Sequence, residues 1–270
     1  MGCIGLTSLD ISNFNTNNVV YMSEIFNGCE KLQKINLGNN FKTNNVVDMS
    51  NMFQNTAISS IDLSSFDTSN VKIMTSMFKS CSQLTSLDLK SFRTSNVILM
   101  QSMFEGCSSL VNLNVDNFDT KRVTNMANMF NGCSNLKSLN LKSFDANNVK
   151  NMKYMFGDCS SLTEINLNLE KFTATQVTDM SFMFSGCSSL EELNLKGFDT
   201  LNVKDMEHMF KSCTNLKSLD LSSFNTVNCK YFDGIFENCN EMNVTINTKT
   251  CQNLISSGQI TDNINIIDIN

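Results

Sequence analysis

Leu84 to Ser109 reads LTSLDLKSFRTSNVILMQSMFEGCSS. In its first six residues Leu87 and Leu89 flank Asp88, the two-residue period of a strand with one buried face. Val97, Met100, Met103 and Phe104 follow at i, i+3, i+6 and i+7, which predicts a short helix or 3₁₀ turn. Between the two halves lies a Thr-, Ser- and Asn-bearing segment. Such side chains bond to nearby backbone and favour turns.

The same stretch recurs on both sides. Phe26, Phe53, Phe78, Phe104, Phe130, Phe156, Phe184, Phe210 and Phe236 lie 27, 25, 26, 26, 26, 28, 26 and 26 residues apart, so the unit occurs nine times. Its consensus is LxxL(D/N)LxxF(D/N)TxNVxxMxxMFxxCxx, and it covers Cys3 to Glu241. A single unit cannot bury its own apolar face, so the units must stack into one solenoid. Strands about 4.8 Å apart then form a parallel sheet on one side, with the helical turns on the other.

The composition fits a repeat protein. Of 270 residues 41% are hydrophobic and 17% charged, which excludes a disordered chain. There are 40 Asn and 2 Arg but no Pro and no Trp, where average usage gives about 13 prolines. A net charge of −6 offers no basic surface to nucleic acid or anionic lipid.

LxxLxL followed by a turn resembles the leucine-rich-repeat core, and the tail NVxxMxxMFxxC resembles the Met-Phe-Cys variety of BspA-like surface proteins of bacteria and protists. The resemblance implies an α/β repeat solenoid of right-handed leucine-rich-repeat type, with surface exposure and adhesion. Departures from the pattern are few. Thr56 replaces the repeat Cys, the same stretch lacks one residue before Ile61, and insertions at Gly38 to Asn40 and Leu169 to Lys171 precede Phe41 and Phe172. Both insertions fall in the same strand-to-Phe loop and are expected to bulge from one edge.

Residues 1–246 read as the repeat solenoid and 247–270 as a C-terminal cap. TKTCQNLISSG predicts a helix with Thr248 near its start and Gly258 at its end, and NINIIDIN a final strand. The N-terminus aligns with the middle of a repeat, with no signal peptide and no membrane-spanning run. An excerpt of a longer protein is therefore expected, with an uncapped edge open to self-association.

Nine of the 11 cysteines share one repeat position. No CxxC spacing suggests metal, and parallel side chains rarely reach disulfide geometry, so a column of buried free thiols is expected. Cys251 alone lies outside the core pattern and is expected to be exposed. Fifteen of 17 Met fall in two inward repeat positions and read as core.

The outward position between the Leu pairs carries the candidate ligand-binding residues: Asp62, Asp88, Asn114, Asn140, Asn166 and Asn194. Asn between the acids relieves a repulsion of about 1 kcal/mol between adjacent carboxylates, and Asp62 and Asp88 are the remaining like-charged neighbours. A flat column offers too few oxygens for calcium. The single histidine, His208, has no nucleophile beside it and reads as a variable residue of a helical face. The Thr column beside Asn reads as turn chemistry rather than an ice-binding ladder.

The expectation is a non-enzymatic binding module without cofactor or metal. Its partner is a host or neighbouring-cell surface protein or glycan, met at the cell surface through the polar sheet face. The alternative is a structural stalk or self-assembling scaffold that stacks through its open edge.

Overall fold

The computed structural model describes residues 2–269. They form a solenoid of leucine-rich-repeat type. Its coils are numbered here by the residue at the repeat Cys position: coil 1 ends at Cys29, coil 2 at Thr56, coil 3 at Cys81, and so on to coil 9 at Cys239. On the Leu side β1 (Ser8–Asp10) pairs in parallel with β2 (Lys34–Asn36), and β3 (Ser138–Leu141) with β4 (Glu164–Leu167). A four-stranded parallel sheet follows, built from β5 (Glu192–Leu193), β6 (Ser218–Leu221), β7 (Met242–Ile246) and β8 (Ile264–Asp268). Coils 3 to 5 bury the same face, through Leu63, Leu89 and Val115. Among the described residues, however, they form no strand ladder.

The uninterrupted ladder lies on the other side. Parallel bridges run Tyr21, Asp48, Ile73, Leu99, Asn125, Asn151, Asp179, Asp205, Tyr231, one per coil and each just before the first Met or its equivalent. From there alternate backbone N–H groups point along the solenoid axis. In coil 4, Met100, Ser102, Phe104 and Gly106 donate to Asn125, Ala127, Met129 and Asn131 of coil 5, while Met103, Glu105 and Cys107 donate three residues back within their own coil. The helical or 3₁₀ turn expected from the Met spacing is thus a run of β-turns. An α-helix needs every N–H within its own segment, and here every second one bonds the next coil. Ser102 and Gly106 have φ of 58° and 72°, the left-handed conformation that a type II turn requires at its third residue.

Side chains repeat the same linkage. Thr120 Oγ1 donates to the Asp145 carbonyl at 2.9 Å and accepts from the Asp145 N–H at 2.8 Å; Thr68 and Thr94 do likewise with Arg93 and Asp119. These hydroxyls are buried, which leaves no Thr ladder on the surface. Asn70, Asn96 and Asn148 donate to carbonyls of the preceding coil at 2.7 to 2.8 Å. Each repeat thiol from Cys81 on reaches back to the Phe carbonyl one coil earlier, as Cys133 does to Phe104 at 3.2 Å. Thr56 fits the thiol position by bonding Phe53 O at 2.8 Å and approaching Cys81 Sγ at 3.4 Å.

Two rows of Phe fill the interior. The row from Phe26 to Phe236 stacks with centroids 5.4 to 5.9 Å apart. In a second row Phe66 stacks on Phe92 at 6.5 Å and Phe118 on Phe144 at 6.3 Å. With the Met and Leu positions they make one continuous core. Every cysteine of the described residues is a free thiol.

Three expectations are corrected. Cys251 is buried, because its sulfur packs back toward the Phe224 carbonyl at 3.5 Å, and Cys3 is the exposed thiol. The C-terminal helix α1 spans Gln252–Ser256, so Thr248 does not begin it; Thr248 Oγ1 instead donates to Asp268 at 2.9 Å. Gly258, with φ 71°, does lie just past its end. Nor do the insertions simply bulge. Asn39 and Asn40 are exposed, but Gly38 lies so close to Ser12 of coil 1 that a Cβ would collide with it, and Leu169 packs against the core.

Candidate functional site

The sheet face carries the six residues singled out from the sequence, and the strand ends explain their type. Asp62 Oδ1 accepts the Ser64 N–H at 2.9 Å, and Asp88, Asn114, Asn140 and Asn194 accept the N–H two residues on at 2.9 to 3.4 Å. These are Asx turns that reverse the chain as it leaves the sheet. Asn166 differs: its side chain donates to Glu164 Oε1 at 2.9 Å, and Asn168 takes the turn role by accepting from Glu170. The inserted residues before Phe172 move the turn along the chain.

Two more Asx columns recur along the solenoid, interrupted where Arg93, Ile73 and Leu99 take the position. One includes Asp67, Asp119 and Asp145, the other Asp48, Asn125 and Asn151. The abundance of Asn and Asp is therefore largely turn chemistry. Hydrogen bonds from the Ser64 hydroxyl and N–H hold the Asp62 carboxyl below the usual range, and Ser12 does the same for Asp10, with help from Asn36.

The column brings Asp62 and Asp88 together around a small recess lined by Ile61, Leu63, Ser64, Lys90 and Ser91. Lys90 Nζ lies 4.0 Å from Asp88, a fully solvated pair of little energetic weight. Asn114 and Asn140 continue the face at coils 5 and 6, where Asn140 donates to Asp116 at 2.8 Å. Near coils 7 to 9 the face is acidic, with Glu164, Glu191, Glu192 and Asp220 around a second recess. Flanking the turn-forming column, Ser60, Ser86, Asn112 and Ser138 are exposed. Among the described residues no group of three or more His, Cys, Asp or Glu is placed to hold a metal ion.

Sequence reasoning missed one feature of the opposite face. Tyr154, Phe182 and His208 occupy the left-handed turn position, with φ of 54°, 59° and 53°. Bulky side chains rarely tolerate that conformation. Tyr154 stacks on Phe182 at 4.4 Å, the His208 ring lies tilted against Phe182 at 4.7 Å, and Lys153 Nζ lies 5.7 Å from the Phe182 ring centroid. Gly234 is next in the column, and any side chain there would strike His208. His208 Nδ1 lies 3.2 Å from Glu237 Oε2, which also pairs with Lys211 at 2.9 Å. The Met spacing suggested a helical face and so concealed the left-handed position.

The ladders settle the architecture, and the sequence match agrees with them: residues 3–110, 84–166 and 160–266 each fit the family described as "Mycoplasma protein of unknown function, DUF285". The chain belongs to this family. No curated protein matches the DUF285 chain. Among solved structures it is similar to a leucine-rich repeat protein from Bacteroides ovatus, at 18% identity over 100% of this chain and 85% of that one, with a TM-score of 0.41. A leucine rich cell surface protein from Faecalibacterium prausnitzii matches at 14% identity over 98% and 88%, with a TM-score of 0.35. The functional domain of InlJ from Listeria monocytogenes, which includes a cysteine ladder, matches at 11% identity over 97% and 68%, with a TM-score of 0.21. No helix among the described residues is long and apolar enough to cross a membrane.

Proposed function

We propose that this DUF285 protein is a non-enzymatic binding module that meets a protein or glycan at a cell surface through its polar sheet face. The observation that carries the reading is the division of labour among side chains. Thr, Asn amides and Cys hold coil to coil and the Asx oxygens close turns within each coil, whereas Ser60, Ser86, Asn112 and Ser138 stand exposed in an evenly spaced row. Weak contacts repeated along such a row add through avidity. Asp62, Asp88, Asn114, Asn140, Asn166 and Asn194 border the same surface; the amides of Asn140 and Asn166 are given to Asp116 and Glu164, and the outer oxygen or amide of the other four is open to a ligand.

Because most of that column closes turns, the test belongs in the flanking row. The chain and a Ser60→Lys, Ser86→Lys, Asn112→Lys, Ser138→Lys variant are compared on extracellular-matrix proteins and a glycan array. Saturable binding that falls at least tenfold in the variant, with its melting temperature unchanged, is the expected outcome. Binding equal in both moves recognition off this face.

A second reading, self-association, has its own observation. Ile4, Phe14, Val20, Tyr21 and Ile25 of coil 1 are exposed large hydrophobics. Light scattering is then expected to grow with concentration and to fall back when Phe14 and Tyr21 become Asp. A mass that stays monomeric throughout overturns this reading.

A further inference from the structure

Two outward positions stand just before the first Met, or its equivalent, in every coil, and their character changes along the solenoid. Coils 1 to 4 carry Val20 and Tyr21, Val47 and Asp48, Lys72 and Ile73, Ile98 and Leu99. In coils 5 to 8 the same two positions hold only Thr, Asn, Lys and Asp. Coils stack about 4.8 Å apart, so the six apolar side chains of coils 1 to 4 form one stripe along the edge where the chain enters the turn side. Val20 and Tyr21 are 40% and 70% exposed, and Val47, Ile73, Ile98 and Leu99 are half-buried.

The fold does not require that stripe. The core beneath it is filled by the residues on either side, such as Val71 and Met74 or Val97 and Met100, all fully buried. Coil 5 builds the same bridge with Thr124 and Asn125 in these places. A contiguous apolar patch that folding does not demand marks a contact surface. Small neutral side chains flank it, with Asn44, Ser69 and Ser95 on one side and Ser50 and Thr75 on the other.

The two charges inside the stripe indicate what covers it. Asp48 and Lys72 sit in adjacent coils and in opposite columns. Asp48 Oδ1 accepts the Ser50 N–H at 2.8 Å, which leaves Oδ2 for a further partner. Two copies laid stripe to stripe are related by a twofold axis that runs either across the stripe or along it. An axis across it, between coils 2 and 3, sets coil 1 against coil 4 and coil 2 against coil 3. Val20 and Tyr21 of one copy then cover Ile98 and Leu99 of the other. The Lys72 stem lies on Val47 of the other copy, with its ammonium beside Asp48. An axis along the stripe sets each coil against itself, so that Asp48 meets Asp48 and Lys72 meets Lys72. Opposite charges meet only in the antiparallel arrangement, and like charges placed together oppose the parallel one.

We propose that the stripe over coils 1 to 4 is the contact surface of an antiparallel twofold dimer of this chain. The inference goes beyond the recognition reading of the sheet face, which lies on the other side of the solenoid and stays free. It differs from stacking through the open end because it closes at two copies. Each dimer presents two sheet faces, a second source of avidity.

The test is sedimentation of the whole chain from micromolar to millimolar concentration. Four coils span only about 15 Å, short for a permanent interface, so the average mass is expected to rise from one chain to two on concentration and to stop there. Ile98→Thr with Leu99→Asn gives coil 4 the residues that coil 5 carries. This pair is expected to weaken the dimer by about tenfold or more with the melting temperature unchanged. Lys72→Glu is expected to do the same, because it sets a carboxylate against Asp48. Thr124→Lys, beyond the stripe, should leave the mass curve as it is. A mass of one chain at every concentration overturns the inference. Growth past two copies that Phe14→Asp stops and the coil 4 pair does not overturns it too, and leaves stacking through the open end standing. A dimer indifferent to Lys72→Glu overturns the antiparallel arrangement, since a parallel one merely exchanges one like-charged pair for another.

Discussion

Titrated from pH 8 to pH 10, the protein is expected to lose most of its stability. In an unfolded chain a cysteine ionises near pH 8.5. Burial pushes the Cys81 thiol up to about 11 and those of Cys133 and Cys187 up to about 12, and holds Cys107, Cys159 and Cys213 well above the ordinary range. The folded state keeps protons that the unfolded state releases. Their contribution is therefore complete below about pH 8.5 and declines as pH rises toward the folded values. Each thiol costs about 1.4 kcal/mol per pH unit in that window. Six of them cost roughly 8 kcal/mol between pH 9 and pH 10, against a typical total of about 5 to 15 kcal/mol. Urea midpoints followed by circular dichroism across pH 8 to 10 check this, and Cys133→Ala should make the slope shallower by one proton. A midpoint that does not move shows that the thiols are not shielded as the fold requires.

Phe130→Ala is expected to cost about 3 to 5 kcal/mol and to change the form of unfolding. Phe130 is fully buried and stacks on Phe104 and Phe156, both at 5.8 Å. Removing it leaves a cavity and two ring contacts without partners, each worth about 0.5 to 1.5 kcal/mol beyond burial. Coils contact chiefly their neighbours, so stability is close to a sum over units and the interfaces between them. A gap at coil 5 weakens the joint between two halves, and a single denaturation transition should split into two. Phe236→Ala, with one ring neighbour in its row, should cost less and leave one transition. Equal costs at the two sites would show that stacking across coils adds nothing.

Architecture was readable from the sequence because the solenoid's contacts obey its period. A residue and its partner in the next coil lie one repeat apart, so one good copy, Leu84 to Ser109, predicts the Leu strand, the Met and Phe core and the thiol column. The conformation of the Met half was not readable. Val97, Met100, Met103 and Phe104 bury one face whether wound as a helix or folded as successive β-turns, and inward spacing alone does not separate the two. What decides is the direction of alternate N–H groups, which depends on a neighbouring coil.

The candidate site was legible only in outline. Asp62, Asp88, Asn114 and Asn140 do face outward, but that each also accepts the N–H two residues on was not readable from the outward period. Thr56 and the missing residue before Ile61 were visible as departures.

The Thr, Asn and Cys linkages each join one coil to the next and reach no further. A whole repeat can thus be duplicated or lost by unequal crossing-over between neighbouring copies, and every surviving bond keeps its partner. Length then becomes a heritable variable separate from fold, changing in increments of about 4.8 Å along the axis. A lineage could adjust how far such a protein extends without inventing a new contact.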